Sequence, residues 1–340
     1  MLSVTDFDYE LPDKLIAQIP LEPRDSSRLM VVDRNTGRIF HRNFRDILDY
    51  LRPGDLLVAN DTRVIPARLT GCRADNGGKA EVLLLHRHSQ DEWESLVKPG
   101  KKLRPGQRVT FGESLQCEIL DTTDYGGRRI RFFYDGLFEN VLERLGEMPL
   151  PPYIHCKLTN SDRYQTVYAR MNGSAAAPTA GLHFTTELIH CLKSRNINFA
   201  YITLNIGLGT FRPVRIGNIT DHVMHREFFN ISAETTESIR RTQEKGGRIV
   251  AVGTTAVRAL ETAAKSGILT PCSGWSDLFI YPGFQFKVVE ALITNFHLPQ
   301  STLLMLVSAF AGTENVREAY REAVDCQYRF FSFGDAMFIE

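Results

Sequence analysis

From Ile65 to Arg131 the chain offers short β-type runs and almost no helix, and no other feature limits its fold as tightly. The runs span residues 67–71, 80–86, 93–97, 108–111, 116–120 and 128–134, parted by Gly, Pro, Asn or Asp. Short strands expose edges that invite association, and closing them into a barrel removes those edges. A small closed all-β barrel is therefore expected here.

Both flanks mix helix with strand. Residues 12–19 predict a short helix stopped by Pro20, 29–33 a strand turning through Arg34-Asn35-Thr36-Gly37 into 38–40, and 44–51 a further helix. Residues 56–59 read as a buried strand that runs into Asn60-Asp61-Thr62-Arg63. Helical spacing returns at 138–145. Beyond the bend Pro149-Leu150-Pro151-Pro152, helices at 186–194, 235–245 and 255–265 alternate with strands at 198–204 and 248–252. Such alternation predicts an α/β domain with a partly parallel sheet. The organisation expected is a discontinuous α/β domain, residues 1–63 and 150–340, carrying an inserted barrel at 64–149.

Length and charge exclude other classes. The 340 residues carry 43% hydrophobic and 24% charged side chains, enough for a sizeable core and unlike a disordered chain. Forty basic residues balance forty acidic ones, so nucleic-acid binding would need a local patch. The six cysteines lack metal-knuckle spacing, the opening Met1 to Asp8 carries two acids where a secretory leader is expected to carry a basic segment and an apolar run, and residues 303–311 are too short a run for a membrane span. A reduced, soluble, cytoplasmic monomer is expected.

The densest chemical signal is the loop Asn172 to Phe184, rich in Ala and Gly, with Pro178, Thr179, Gly181 and His183. Small residues let backbone approach a ligand, and Thr185 or Thr186 can cap the next helix. His183 at a helix entrance would stay neutral and able to accept a proton, the alternative being a structural histidine in a tight loop. Asn205-Ile206-Gly207-Leu208-Gly209 follows a strand but meets Arg212-Pro213 where a dinucleotide fingerprint needs a third glycine and a helix. A glycine-lined ligand loop remains. His222 and His225, three apart beside Phe228-Phe229, lack the one-turn spacing of a helical zinc pair and read better as substrate-binding. Gly253-Thr254-Thr255 turns a strand into a helix with Arg258 one turn on, a ready anion site or an ordinary capped helix. Asn295 and His297 leave a strand end where open α/β sheets bind ligands, and Ser301 or Thr302 fits the following cap. The aromatic tail Tyr328 to Met337 fits a buried terminal strand better than base stacking. Lys101, Lys102 and Arg104, with no acid among them, form a solvated loop or a phosphate-contacting patch.

Taken in order, these segments resemble the S-adenosylmethionine:tRNA ribosyltransferase-isomerase family of queuosine biosynthesis. The resemblance spans essentially the whole chain: Ile16-Ala17-Gln18-Ile19-Pro20, Arg24-Asp25-Ser26-Ser27-Arg28-Leu29, Asn60 to Leu69, Pro149 to Ile154, Tyr164 to Ala169, Pro178 to Phe184, Gly253-Thr254-Thr255, Thr294 to Thr302 and Tyr328 to Met337. It implies an α/β domain with an inserted barrel. It also implies transfer of the ribosyl group of S-adenosylmethionine to 7-aminomethyl-7-deazaguanine at the tRNA wobble position, giving epoxyqueuosine-tRNA, adenine and methionine. No metal or redox cofactor is implied; S-adenosylmethionine is consumed as co-substrate.

Mapped onto that reaction, His183 is the candidate base and His297 the alternative base or adenine proton donor. Gly253, Thr254, Thr255 and Arg258 are candidates for the methionine carboxylate, Asp61 and Arg63 for orienting substrate, and Lys101, Lys102 and Arg104 for the tRNA backbone. Thr179, Gly181, Gly207, Gly209, His222, His225 and Asn295 complete the expected substrate-binding set. Asn205 stands where many members carry histidine, and Ala175, Phe284 and Glu290 replace Val, Tyr and Asp. The rival readings are a non-catalytic tRNA-binding module and a metal-dependent hydrolase using His222 and His225.

Overall fold

A computed structural model describes residues 2–123, 126–156, 158, 160–207 and 218–340. The chain divides into two compact units, one of Met1–Thr62, Pro152–Arg170 and Pro178–Glu340, the other of Arg63–Pro151 and Met171–Ala177. In chain order the strands begin with β1 (Arg28–Val32), β2 (Ile39–Asn43), β3 (Leu56–Asn60) and β4 (Thr62–Val64). Then come β5 (Arg68–Arg73), β6 (Lys79–Arg87), β7 (Glu92–Lys98), β8 (Arg108–Phe111), β9 (Leu115–Thr122), β10 (Arg128–Tyr134) and β11 (Gly146–Glu147). The remainder are β12 (Met171–Ser174), β13 (Asn198–Leu204), β14 (Glu227–Ile231), β15 (Ile249–Val252), β16 (Cys272–Ser276), β17 (Ala291–Asn295) and β18 (Ala336–Ile339). The helices are α1 (Phe138–Leu145), α2 (Thr186–Ser194), α3 (Ala233–Glu244), α4 (Thr254–Ala263), α5 (Thr302–Ala311) and α6 (Thr313–Asp325).

The α/β unit is built on a mixed sheet in the order β16-β14-β13-β3-β15-β17-β18-β1-β2. Its centre is parallel: β3 pairs in parallel with β13 and β15, and β15 with β17. Parallel strands covered on both faces read as unbroken apolar runs, and β15 (Ile-Val-Ala-Val) and β17 are buried at every position. One face presents Leu57, Ala59, Val250, Val252 and Ile293 to Leu188 and Leu192 of α2 and to Phe44, Ile47 and Leu51. Helix α4 packs against β3, β13, β14 and β15.

In the second unit, β5-β6-β7-β10-β9-β8 form an antiparallel sheet that closes through a β5–β8 pairing. Burial alternates along β5, β7, β9 and β10, placing Leu69, Trp93, Ile119, Ile130 and Phe132 inside. Closure depends on Gly71. A Cβ there would lie 2.3 Å from the Thr110 carbonyl oxygen and 2.6 Å from the Phe111 ring, so no larger residue lets β5 meet β8. Helix α1 contributes the buried Phe138, Val141 and Leu142.

Several elements differ from the sequence expectation. Residues 12–19 form only a 3₁₀ turn at Asp13–Leu15, because the next backbone groups are claimed from afar: Ala17 N–H donates to the Phe330 carbonyl and Phe330 N–H to that of Leu15. Residues 44–51 wind as a 3₁₀ helix, Phe44–Asp49. The aromatic tail is a turn through Phe331 (φ 68°), and the terminal strand starts only at Ala336. Strand β16 and helix α6 were not foreseen.

At the amino end of β3 the buried Asp55 carboxylate holds the start of β15. It accepts from the Arg248 backbone N–H (3.2 Å), from Arg248 Nη2 (2.8 Å) and from the Arg52 N–H (2.8 Å). Asp55→Ala strands these donors and is expected to cost about 3 kcal/mol, lowering the urea midpoint with an unchanged slope. A loss under about 1 kcal/mol would show the pair to be solvent-screened.

Candidate active site at the carboxyl ends of the parallel strands

Parallel pairing delivers the ends of β13, β3, β15 and β17 to one edge of the α/β unit, where open sheets of this kind bind ligands. Asn205, Asp61, Gly253 and Asn295–His297 therefore converge. Because β18 runs antiparallel to β17 and parallel to β1, the turn before β18 and the Ser27 that precedes β1 join the same edge.

Asn60 ties the end of β3 to β13. Its Nδ2 donates to the Leu204 carbonyl (2.9 Å), while its Oδ1 accepts the N–H groups of Leu204 (3.0 Å) and Thr62 (3.1 Å). Thr62 Oγ1 then donates to Asn205 Oδ1 at 3.1 Å. The Asp61 carboxylate is buried and accepts from Thr203 Oγ1 (2.7 Å) and Arg170 Nε (2.6 Å). Arg170 itself is 63% exposed, lies over the Tyr201 ring and was missed by sequence reasoning.

Gly253 adopts φ 89°, the left-handed region that glycine tolerates, and starts α4 at once. Thr255 Oγ1 is buried with no partner among the described residues. A Cβ on Gly253 would lie 3.6 Å from Ala180 of the 3₁₀ turn Thr179–His183, so bend and turn are neighbours. Gly181 in that turn is obligatory: its Cβ would fall 2.1 Å from the Tyr168 hydroxyl. Thr179 is half-buried.

Arg258 requires a correction. Its guanidinium is buried in an ion pair with Glu227 and also donates to the Leu278 carbonyl, so it is spent before any ligand arrives. The other Glu227 oxygen accepts the Gly207 N–H at 3.0 Å. Sequence spacing could not show this pairing, since Glu227 comes from β14.

His183 is fully buried and stacks on Phe44. Asn295 Nδ2 lies 3.1 Å from its Nε2 and 3.0 Å from the Phe331 carbonyl. An amide nitrogen only donates, so Nε2 accepts. The neutral ring thus carries its proton on Nδ1, which donates to Ser27 Oγ at 2.7 Å. Burial first, then the Arg24 and Arg329 charges, holds the imidazole well below its ordinary pKa. With both nitrogens occupied, no lone pair is left to remove a substrate proton in this arrangement. His297 is buried too; its Nε2 hydrogen-bonds Thr294 Oγ1 at 2.8 Å, and burial pushes it down to about 3.

The remaining expected residues are scattered. His222 is half-buried with an edge against Phe279, and His225 is exposed. Among the described residues one group of three could meet at a metal, His41, Glu322 and Cys326, and it contains neither. Arg63, Lys101, Lys102 and Arg104 are exposed and belong to the barrel unit. Gly209, with the segment around it, lies outside the described residues. No described helix is long and apolar enough to cross a membrane.

The model of a family described as queuosine biosynthesis protein matches residues 4–339. The S-adenosylmethionine:tRNA ribosyltransferase-isomerase of Symbiobacterium thermophilum is 61% identical, covering 99% of this chain and 100% of its own. The protein of the same description from Acetivibrio thermocellus is 57% identical over 100% of both. Among solved structures, the S-adenosylmethionine tRNA ribosyltransferase of Thermotoga maritima is 45% identical with TM-score 0.58, over 98% of this chain and 100% of its own.

Neutral buried histidines tie stability to pH. In the unfolded chain histidine titrates near about 6.5, so below that pH the unfolded state binds protons that His183 and His297 refuse. Stability is then complete above about pH 6.5 and falls as pH drops toward the folded values, by up to about 1.4 kcal/mol per unit for each ring. Urea midpoints taken from about pH 7 to 5 should show this fall, reduced in His297→Gln; a flat profile contradicts it.

Proposed function

The chain belongs to the queuosine biosynthesis protein family, and from that premise we propose that it transfers the ribosyl moiety of S-adenosylmethionine to tRNA and isomerises it. The acceptor is 7-aminomethyl-7-deazaguanine at the wobble position, and the products are epoxyqueuosine-tRNA, adenine and methionine. One observation carries the reading: the match runs the length of the chain at high identity, leaving no unit of it unaccounted for.

The chemistry states what a site must supply. The sulfonium acidifies the ribose 5′ carbon, and deprotonation there drives loss of adenine. The aminomethyl nitrogen bonds the sugar, and an internal alkoxide displaces methionine to close the epoxide. Such steps need water excluded and charge compensated.

The edge formed by Asp61, Asn205, Gly253, Thr254, Thr255 and Asn295 is our candidate for the ribosyl and adenine pocket. The Asp61 carboxylate and Asn295 Nδ2 are fixed before a ligand arrives, while Thr255 Oγ1 is left unbonded among the described residues. His183 is a positioning residue on this reading: through Asn295 and Ser27 it fixes β17 against the start of β1. In the barrel, Lys101, Lys102 and Arg104 contact the tRNA backbone. The protein acts as a monomer and needs no added cofactor.

Purified protein, S-adenosylmethionine and tRNA bearing the aminomethyl base should release adenine in step with the epoxycyclopentanediol adduct, unaffected by exhaustive chelation. Tight tRNA binding without adenine would leave a binding module, and loss of activity on chelation would restore a metal-dependent reading. Replacing Lys101, Lys102 and Arg104 together by alanine is expected to raise the KM for tRNA, leave that for S-adenosylmethionine unchanged, and reduce the salt slope by about 2. An unchanged slope removes these residues from the interface.

A further inference from the structure

Arg24 begins the 3₁₀ turn Arg24–Ser26 just before β1. Its side chain is 9% exposed, and Nε donates to the Leu182 carbonyl at 3.1 Å. Its Nη1 and Nη2 are buried with no partner among the described residues, and so is Nη1 of the neighbouring Arg329. The nearby carboxylates are engaged elsewhere. Asp335 accepts the N–H groups of Arg28 (2.9 Å) and Arg329 (2.8 Å), and Glu22 pairs with Arg163 at 2.5 Å. Burial, Arg329 and Arg163 together lower the Arg24 pKa to about 9, which still leaves it charged at neutral pH.

A buried cation with its bonding fork unused destabilises the fold unless something meets it. Orphaned groups of this kind persist where they have work to do. The two Nη groups of a guanidinium present parallel N–H bonds that match a carboxylate or phosphate in two-point contact. The place is also right. Leu182, which Arg24 holds, adjoins His183, and His183 meets Asn295 at the carboxyl end of β17.

We propose that Arg24, with Arg329 beside it, receives the methionine carboxylate of S-adenosylmethionine. The assignment rests on the function given above and moves the carboxylate away from the Gly253 bend, whose expected cation is spent on Glu227. A tRNA phosphate fits poorly, because a phosphodiester bears a ribose on each side and cannot enter around a guanidinium nine-tenths buried. A carboxylate at the end of a flexible aliphatic arm needs less room.

The test compares binding of S-adenosylmethionine with its decarboxylated analogue by titration calorimetry. The unmodified protein is expected to prefer the carboxylated form by about 100-fold, the value of a charge-assisted pair of hydrogen bonds. In Arg24→Gln that ratio collapses toward one, while the decarboxylated analogue binds as before. Arg24→Lys keeps the charge, loses the fork, and should retain an intermediate ratio; it serves where the glutamine variant does not fold. A ratio unchanged in either variant overturns the proposal and leaves Arg24 a structural cation. A raised KM for tRNA with the ratio intact also overturns it, in favour of a phosphate. Neither result touches the reaction assigned, which fails only if the unmodified protein binds S-adenosylmethionine but releases no adenine with tRNA, or does not bind it.

Discussion

Everything at the candidate site hangs from the parallel pairing of β3 with β13 and β15. Antiparallel neighbours would send Asp61, Asn205 and Gly253 to opposite edges of the sheet. Parallel ones deliver them together, and the right-handed crossovers that parallel pairing requires supply α2 and α4 as its cover. Asp55 and Arg248 lock the far edge, so the near edge is free to carry polar groups that add little to packing.

Those polar groups fall into two kinds. Asn60, Asp61, Asn295 and His183 are tied to partners at hydrogen-bonding distance, which fixes their direction before any ligand arrives. Arg24, Arg329 and Thr255 keep buried atoms unbonded. The first kind stabilises the fold and the second lowers its stability, and the pattern is that of a site organised in advance for an anion and a polar substrate.

Much of the fold was legible because it rests on local signals. The barrel strands alternate and end at Gly, Pro or Asp, while α2 is capped by Thr185 and β13 follows after a short turn, so their limits could be read directly. Residues 12–19 could not, because distant backbone partners decide their conformation. The site was legible by segment and opaque by role. Gly253, Asn295, Asp61 and His183 stood out as loop residues at strand ends. That Arg258 would be neutralised by Glu227, that Asn295 would occupy the His183 lone pair, and that Arg24 would spend its Nε on Leu182 and leave both Nη groups unbonded are properties of residues brought together from far along the chain. No spacing rule reaches them.

The central claim is that S-adenosylmethionine binds at the carboxyl edge of the parallel strands. A crystal structure of the protein with S-adenosylmethionine tests it most directly. The account predicts ligand density between the Gly253 bend and Asn295, with the carboxylate on the Arg24 guanidinium. Density at any other place, whether inside the barrel or beside His222 and His225, would contradict it.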